Sequence, residues 1–108
     1  MSINSLNLNT FEKEISSAKQ PVICFFWTAY CSACNQMSVA ISNLERRLGD
    51  SAKFCTINLE EYPKISDHAG VIVVPTIIIY KNGRAVTRIF GLTGEEELGY
   101  TIEEMIVA

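Results

Sequence analysis

Hydrophobic and polar positions along the chain of 108 residues change their period several times, and each change predicts an element. Near the start, Asn9-Thr10-Phe11-Glu12 has the form of a capping box, an Asn whose side chain meets a Glu three positions on. It predicts a helix to about Ala18. PVICFFW at 21–27 is a continuous apolar run without alternation, as expected of a strand covered on both faces. From about Cys31 to Leu48, apolar residues recur at Met37, Ala40, Ile41, Leu44 and Leu48. That is helical spacing, and Gly49 is a natural stop. AKFCTINL at 52–59 predicts a second strand, and a short helix around 61–69 follows.

TIIIYKNGRAVTRIF at 76–90 places two β-rich arms around Asn82-Gly83, the pair best suited to a two-residue type I′ hairpin turn. Thr93-Gly94-Glu95-Glu96 is a second capping box and predicts a last helix through Met105. The order, (β)αβαβαββα, has parallel crossover units first and a hairpin last. It predicts an α/β fold, a central mixed β-sheet flanked by helices on both faces. No repeat or Pro/Gly/Ser-rich linker divides the sequence, so residues 1–108 are expected to form a single domain.

Composition adds exclusions. Hydrophobic residues make up 48% of the chain, enough for a core without disulfide staples. A net charge of −3 gives no basic field for phosphates, so nucleic acid is not an expected partner. MSINSLNLNTFEKE lacks the basic start and apolar run of a secretory leader, although a chain already processed would look the same. The longest apolar stretches, PVICFFW and VIVVPTIIIY, are too short to cross a bilayer. The expectation is a soluble, cytoplasmic monomer, and in that compartment thiols stay reduced unless they do redox work or bind metal.

Candidate chemistry centres on FFWTAYCSACNQM, residues 25–37. Cys31 and Cys34 sit at the end of a predicted strand and the start of a predicted helix. Unpaired N–H groups and the helix dipole there favour a thiolate at the first cysteine. The second is close enough to attack a mixed disulfide formed on the first. Inert thiols and half of a metal site are the competing readings. Against zinc, no second C-x-x-C or paired histidine supplies the remaining ligands, His68 being the single histidine. His68 is expected on the solvated surface. Glu95-Glu96-Glu97 is expected as favourable charge at a helix N-terminus.

Trp27 and Tyr30 before Cys31-Ser32-Ala33-Cys34, then Val74-Pro75-Thr76, Lys81-Asn82-Gly83 and Gly91, give the chain a plain resemblance to the thioredoxin family. The spacing from Cys31 to Pro75, 75 − 31 = 44 positions, matches that family without a gap. The resemblance covers essentially the whole sequence. It implies a thioredoxin fold with a cis Pro75 facing the dithiol, leaving the backbone of Val74 free to pair with an extended substrate segment. It also implies an apolar rim of Trp27, Tyr30, Val74 and Gly91 around Cys31. The implied activity is protein thiol–disulfide exchange, with Cys31 as exposed nucleophile and Cys34 as buried resolving thiol. No bound cofactor is implied. Disulfide-containing proteins would be the substrates, and the electrons would come from NADPH through a thioredoxin reductase. Two further readings stay open: a binding module whose dithiol is incidental, and an oxidase or isomerase for exported proteins.

Three departures qualify the resemblance. Thioredoxins carry a buried Asp six residues before the first cysteine, partnered by a Lys on the neighbouring strand; here those positions are Phe25 and Thr56. Losing both members together is physically consistent, because either alone would be an uncompensated buried charge. Cys34 is then left without an evident base, and its reaction is expected to lean on water or on the leaving thiolate. The dipeptide Ser32-Ala33 replaces the usual Gly-Pro and adds donors near Cys31, which predicts a weaker reductant. Val39 stands where a helix-kinking Pro is usual. Cys24 and Cys55 fall on strands the family places side by side. They are expected as small buried hydrophobes, with a cross-strand disulfide as the alternative.

Overall fold

The structure is a computed structural model and describes residues 4, 5 and 8–107. The start of the chain, where no leader pattern was found, lies partly outside them. In chain order the elements are β1 (Asn4–Ser5), α1 (Leu8–Ser17), β2 (Val22–Trp27), α2 (Ser32–Leu48), β3 (Lys53–Asn58), α3 (Pro63–Ala69), β4 (Thr76–Lys81), β5 (Arg84–Phe90) and α4 (Glu95–Val107). A short 3₁₀ turn, Gly49–Ser51, follows α2. The strands form one mixed sheet in the order β1-β3-β2-β4-β5. β3 runs parallel to β1 and β2, while β4 is antiparallel to β2 and β5. This is the mixed sheet expected from crossover units followed by a hairpin.

Strand geometry divides the core in two. Side chains alternate faces along a strand, so Val22, Cys24 and Phe26 of β2 join one buried cluster while Ile23 and Phe25 join the other. Phe11 and Ile15 of α1 and Ile65 and Ala69 of α3 complete the first cluster. Cys34, Met37, Ile41 and Leu44 of α2 and Leu98 and Ile102 of α4 complete the second. Helices therefore cover both faces, which is why β2 and β4 are apolar without alternation. Burying one such Phe or Ile contributes about 1.5–3 kcal/mol, and the site is built on the second of these two faces.

The hairpin forms as the sequence requires. Asn82 and Gly83 both take positive φ, 54° and 79°, the pattern of a type I′ turn. The register then slips between Ile79↔Thr87 and Tyr80↔Ala85, leaving Val86 as the extra residue of a bulge. The helix starts are corrected. α1 begins at Leu8, so Asn9 lies inside its first turn and is not the cap. α4 begins at Glu95, which puts Gly94 and not Thr93 in the capping place; the Gly94 carbonyl accepts from Leu98 N–H at 2.9 Å. The capping-box pattern places the first start too late and the second too early, because it does not fix which residue first takes helical dihedrals.

Candidate active site

Cys31 closes the loop after β2 and is the N-cap of α2, with extended backbone (φ −114°, ψ 103°). Its Sγ accepts the N–H of Cys34 at 3.1 Å. A cysteine sulfur thus takes the place that a Ser or Asp oxygen usually fills at a helix start, on an orphan amide at the positive end of the dipole. Cys31 and Cys34 are joined as a disulfide with a Cα–Cα separation of 5.1 Å. The two sulfurs are not equivalent. Cys31 is half-buried, whereas Cys34 is 3% exposed and packs inside the α2 cluster. Of the intervening residues, Ser32 is exposed and Ala33 half-buried.

The residues implied as a rim lie on three chain segments. Trp27, at the end of β2, and Val74 are partly buried against the same cluster as Cys31. The Val74–Pro75 peptide bond is cis, as the resemblance implied. Pro75 is buried, and its carbonyl accepts the N–H of Gly91 at 2.9 Å, holding that glycine (φ 79°) against the proline. Thr93 N–H reaches Met37 Sδ at 3.4 Å and ties the Gly91 loop to α2. Tyr30 carries φ 61° and its side chain stands wholly in solvent. Ile72, Val73 and Leu92 are also exposed. Among the described residues, the backbone of Val74 has no hydrogen-bond partner within the chain.

Other side chains hold these segments: Asn58 and Glu60, which no motif above marks, and Thr76, named above only as part of Val74-Pro75-Thr76. Asn58 Oδ1 accepts the N–H groups of Glu60 and Glu61, and Glu60 Oε1 accepts the N–H of Ala29 at 3.1 Å. This Asx turn, legible in principle from Asn58-Leu59-Glu60, fixes the loop leading into Cys31. Thr76 Oγ1 donates to Val73 O at 2.6 Å and pins the loop before the cis proline.

The positions of the absent Asp/Lys pair face one another: Phe25 and Thr56 are register partners across β2 and β3. Phe25 is 2% exposed and packs in the cluster that holds Cys34. Both line a pocket of about 230 Å³ beside Cys34, together with Trp27, Asn35 and Ser38. No Asp, Glu, His or Lys is among those lining residues.

Cys24 and Cys55 are also register partners and are fully buried on the opposite face of the sheet, as free thiols. Burial pushes the Cys24 thiol well above its usual range, and its hydrogen bond to Cys55 adds to the shift. His68 is exposed, 3.8 Å from Glu12 and edge-on to Phe11, remote from the dithiol in the fold. Glu95, Glu96 and Glu97 form the first turn of α4. Among the described residues no three His, Cys, Asp or Glu side chains are grouped to hold a metal, and no helix is long and apolar enough to cross a membrane.

Comparison with known proteins agrees with this geometry. The thioredoxin family profile matches residues 2–104. A thioredoxin of Rickettsia typhi is 30% identical over 96 residues, covering 89% of this chain and 91% of its own. One from Griffithsia pacifica is 27% identical over 104 residues, 96% and 95% of the two chains. Among solved structures, a point-mutant thioredoxin from Halobacterium salinarum superposes with a TM-score of 0.88 over 97% of this chain and 91% of its own; at 22% identity it speaks for the fold alone. With the paired Cys31 and Cys34 in place, the activity is dithiol–disulfide exchange. By profile and by identity, this chain belongs to the thioredoxin family.

Proposed function

We propose that this chain acts as a single-domain, monomeric reductant of protein disulfides in the cytoplasm, with Cys31 as nucleophile and Cys34 as resolving thiol. The observation that carries the assignment of roles is the asymmetry of the pair: Cys31 is half-exposed on an orphan helix amide, while Cys34 is 3% exposed. Cys31 thiolate attacks a substrate disulfide, forming Cys31–S–S–substrate and expelling one substrate thiolate. Cys34 then attacks Cys31 Sγ, closing the intramolecular disulfide and releasing the second substrate sulfur.

Trp27, Tyr30, Val74, Pro75 and Gly91 form the substrate rim. The unpartnered backbone of Val74 supports pairing with an extended segment, and Tyr30 supplies an exposed apolar surface beside Cys31. Ser32 and Ala33 tune the thiolate through the first turn of α2. Re-reduction draws on NADPH through a flavin-dependent thioredoxin reductase, with no group bound to this chain. The test is trapping. Cys34→Ser should accumulate a mixed disulfide with a model disulfide protein, and Cys31→Ser should give none and lose insulin-reducing activity. Trapping on Cys34 in the Cys31→Ser protein would reverse the assigned roles.

A further inference from the structure

The pocket beside Cys34 is lined by Phe25, Trp27, Cys34, Asn35, Ser38 and Thr56 and encloses about 230 Å³. One water occupies about 30 Å³ in the liquid, so the space admits water and small polar solutes. Its inner wall is apolar, with Phe25 buried and Trp27 half-buried, and Cys34 lies against it. Its outer wall is polar: Asn35 and Ser38, one helical turn apart on α2, are both exposed. Ser38 Oγ donates to Asn35 O at 3.2 Å, so the hydroxyl oxygen stays available as an acceptor. Thr56 is half-buried on β3, and its hydroxyl makes no hydrogen bond to any described residue. The pocket therefore runs from the exposed face of α2 to a nearly buried thiol, and no lining side chain is a base.

We propose that this pocket is the proton exit of the resolving step, with the Thr56 hydroxyl a positioning group in it. This rests on Cys34 being the resolving thiol. When Cys34 attacks, its S–H proton passes to water in the pocket, and its electron pair forms the Cys34–Cys31 bond. The Cys31–substrate bond breaks, and its electron pair leaves on the substrate sulfur, which takes a proton from solvent. Thr56 accepts from, and donates to, the water nearest the thiol. Replacing a buried Asp by Phe25 and its Lys partner by Thr56 thus exchanges an internal base for solvent access. The same opening makes the step responsive to an external small base of neutral, hydrogen-bonding character, for which imidazole is the probe.

The experiment follows decay of a preformed Cys31 mixed disulfide, by rapid acid quench, in the full chain. Thr56→Leu fills the pocket from within, and Ser38→Leu covers its mouth from an exposed position that leaves the core untouched. Blocking proton transfer should slow resolution about tenfold, while iodoacetamide alkylation of Cys31 in the reduced proteins changes by less than about twofold. Imidazole should accelerate resolution in the parent chain and lose that effect in both variants. Unchanged decay in Ser38→Leu and Thr56→Leu overturns the proposal. So does equal slowing of decay and alkylation, which would mean that the substitutions disturb the dithiol as a whole. Failure of Cys34→Ser to trap a mixed disulfide would instead strike at the assignment of Cys34 itself.

Discussion

Phe25 and Thr56 show how much of the site two side chains decide. They are register partners, and they occupy the places where the family usually carries opposite charges. Phe25 is 2% exposed among Cys34, Met37 and Ile41. Placing Asp there alone strands a charge in the core, and breaking a buried pair in this way costs about 3–5 kcal/mol. Adding Lys at Thr56 supplies the partner from the neighbouring strand. Urea unfolding should therefore show Phe25→Asp strongly destabilised and the Phe25→Asp/Thr56→Lys double variant recovering more than about 1 kcal/mol of that loss, within the range of coupled neighbours. Additive single effects would mean that the two positions do not speak to each other. The departures at both positions were legible from the sequence. The pocket they share with Asn35 and Ser38 was not, because it joins residues from two strands and a helix whose side-chain packing no local period encodes.

The element that sets the chemistry is the first turn of α2. Its position was legible from the strand before it and from the helical recurrence of Met37, Ala40, Ile41 and Leu44. The succession of elements along the chain was equally legible, since apolar runs, crossover spacing and the Asn82-Gly83 turn all agree. What local pattern missed were the helix starts, the bulge at Val86 and the Asn58–Glu60–Ala29 clamp. Each depends on geometry across elements. Within that first turn, Cys31 Sγ accepts the Cys34 N–H, and the Ala33 N–H lies one position nearer the helix start. Proline at 33 fits a helical first turn but removes that donor. Weaker support for the thiolate destabilises the reduced form. Exchanging Ser32-Ala33 for Gly-Pro should thus lower the dithiol reduction potential by about 30 mV, a tenfold change in equilibrium constant. Equilibration against glutathione buffers, read by Trp27 fluorescence, measures it; an unchanged or higher potential would exclude the amide as the cause.

At the scale of the molecule, the sheet separates redox work from a second, silent set of ionisable groups. The dithiol lies on the α2 and α4 face, while Cys24 and Tyr80 are buried with α1 and α3. Burial raises the Tyr80 phenol well above its ordinary value, nearby Cys24 raises it further, and Arg88 opposes both; burial likewise raises Cys24. A group whose pKa is raised on folding contributes stability that is complete below its unfolded pKa. That stability is lost as pH climbs from there toward the folded pKa, because the unfolded chain then binds fewer protons. With unfolded thiols ionising at about 8.5 and phenols at about 10, stability should hold through neutral pH and decline above about 9. The oxidised protein isolates the effect, since its active-site sulfurs are bonded to each other and do not titrate. In urea midpoints measured across the alkaline range, Tyr80→Phe should fall less steeply than the parent chain above about pH 10, while both share the earlier decline owed to Cys24. Parallel curves would place the alkaline sensitivity elsewhere in the molecule. Tyr80 would then contribute packing alone, with no stake in the protonation of the chain.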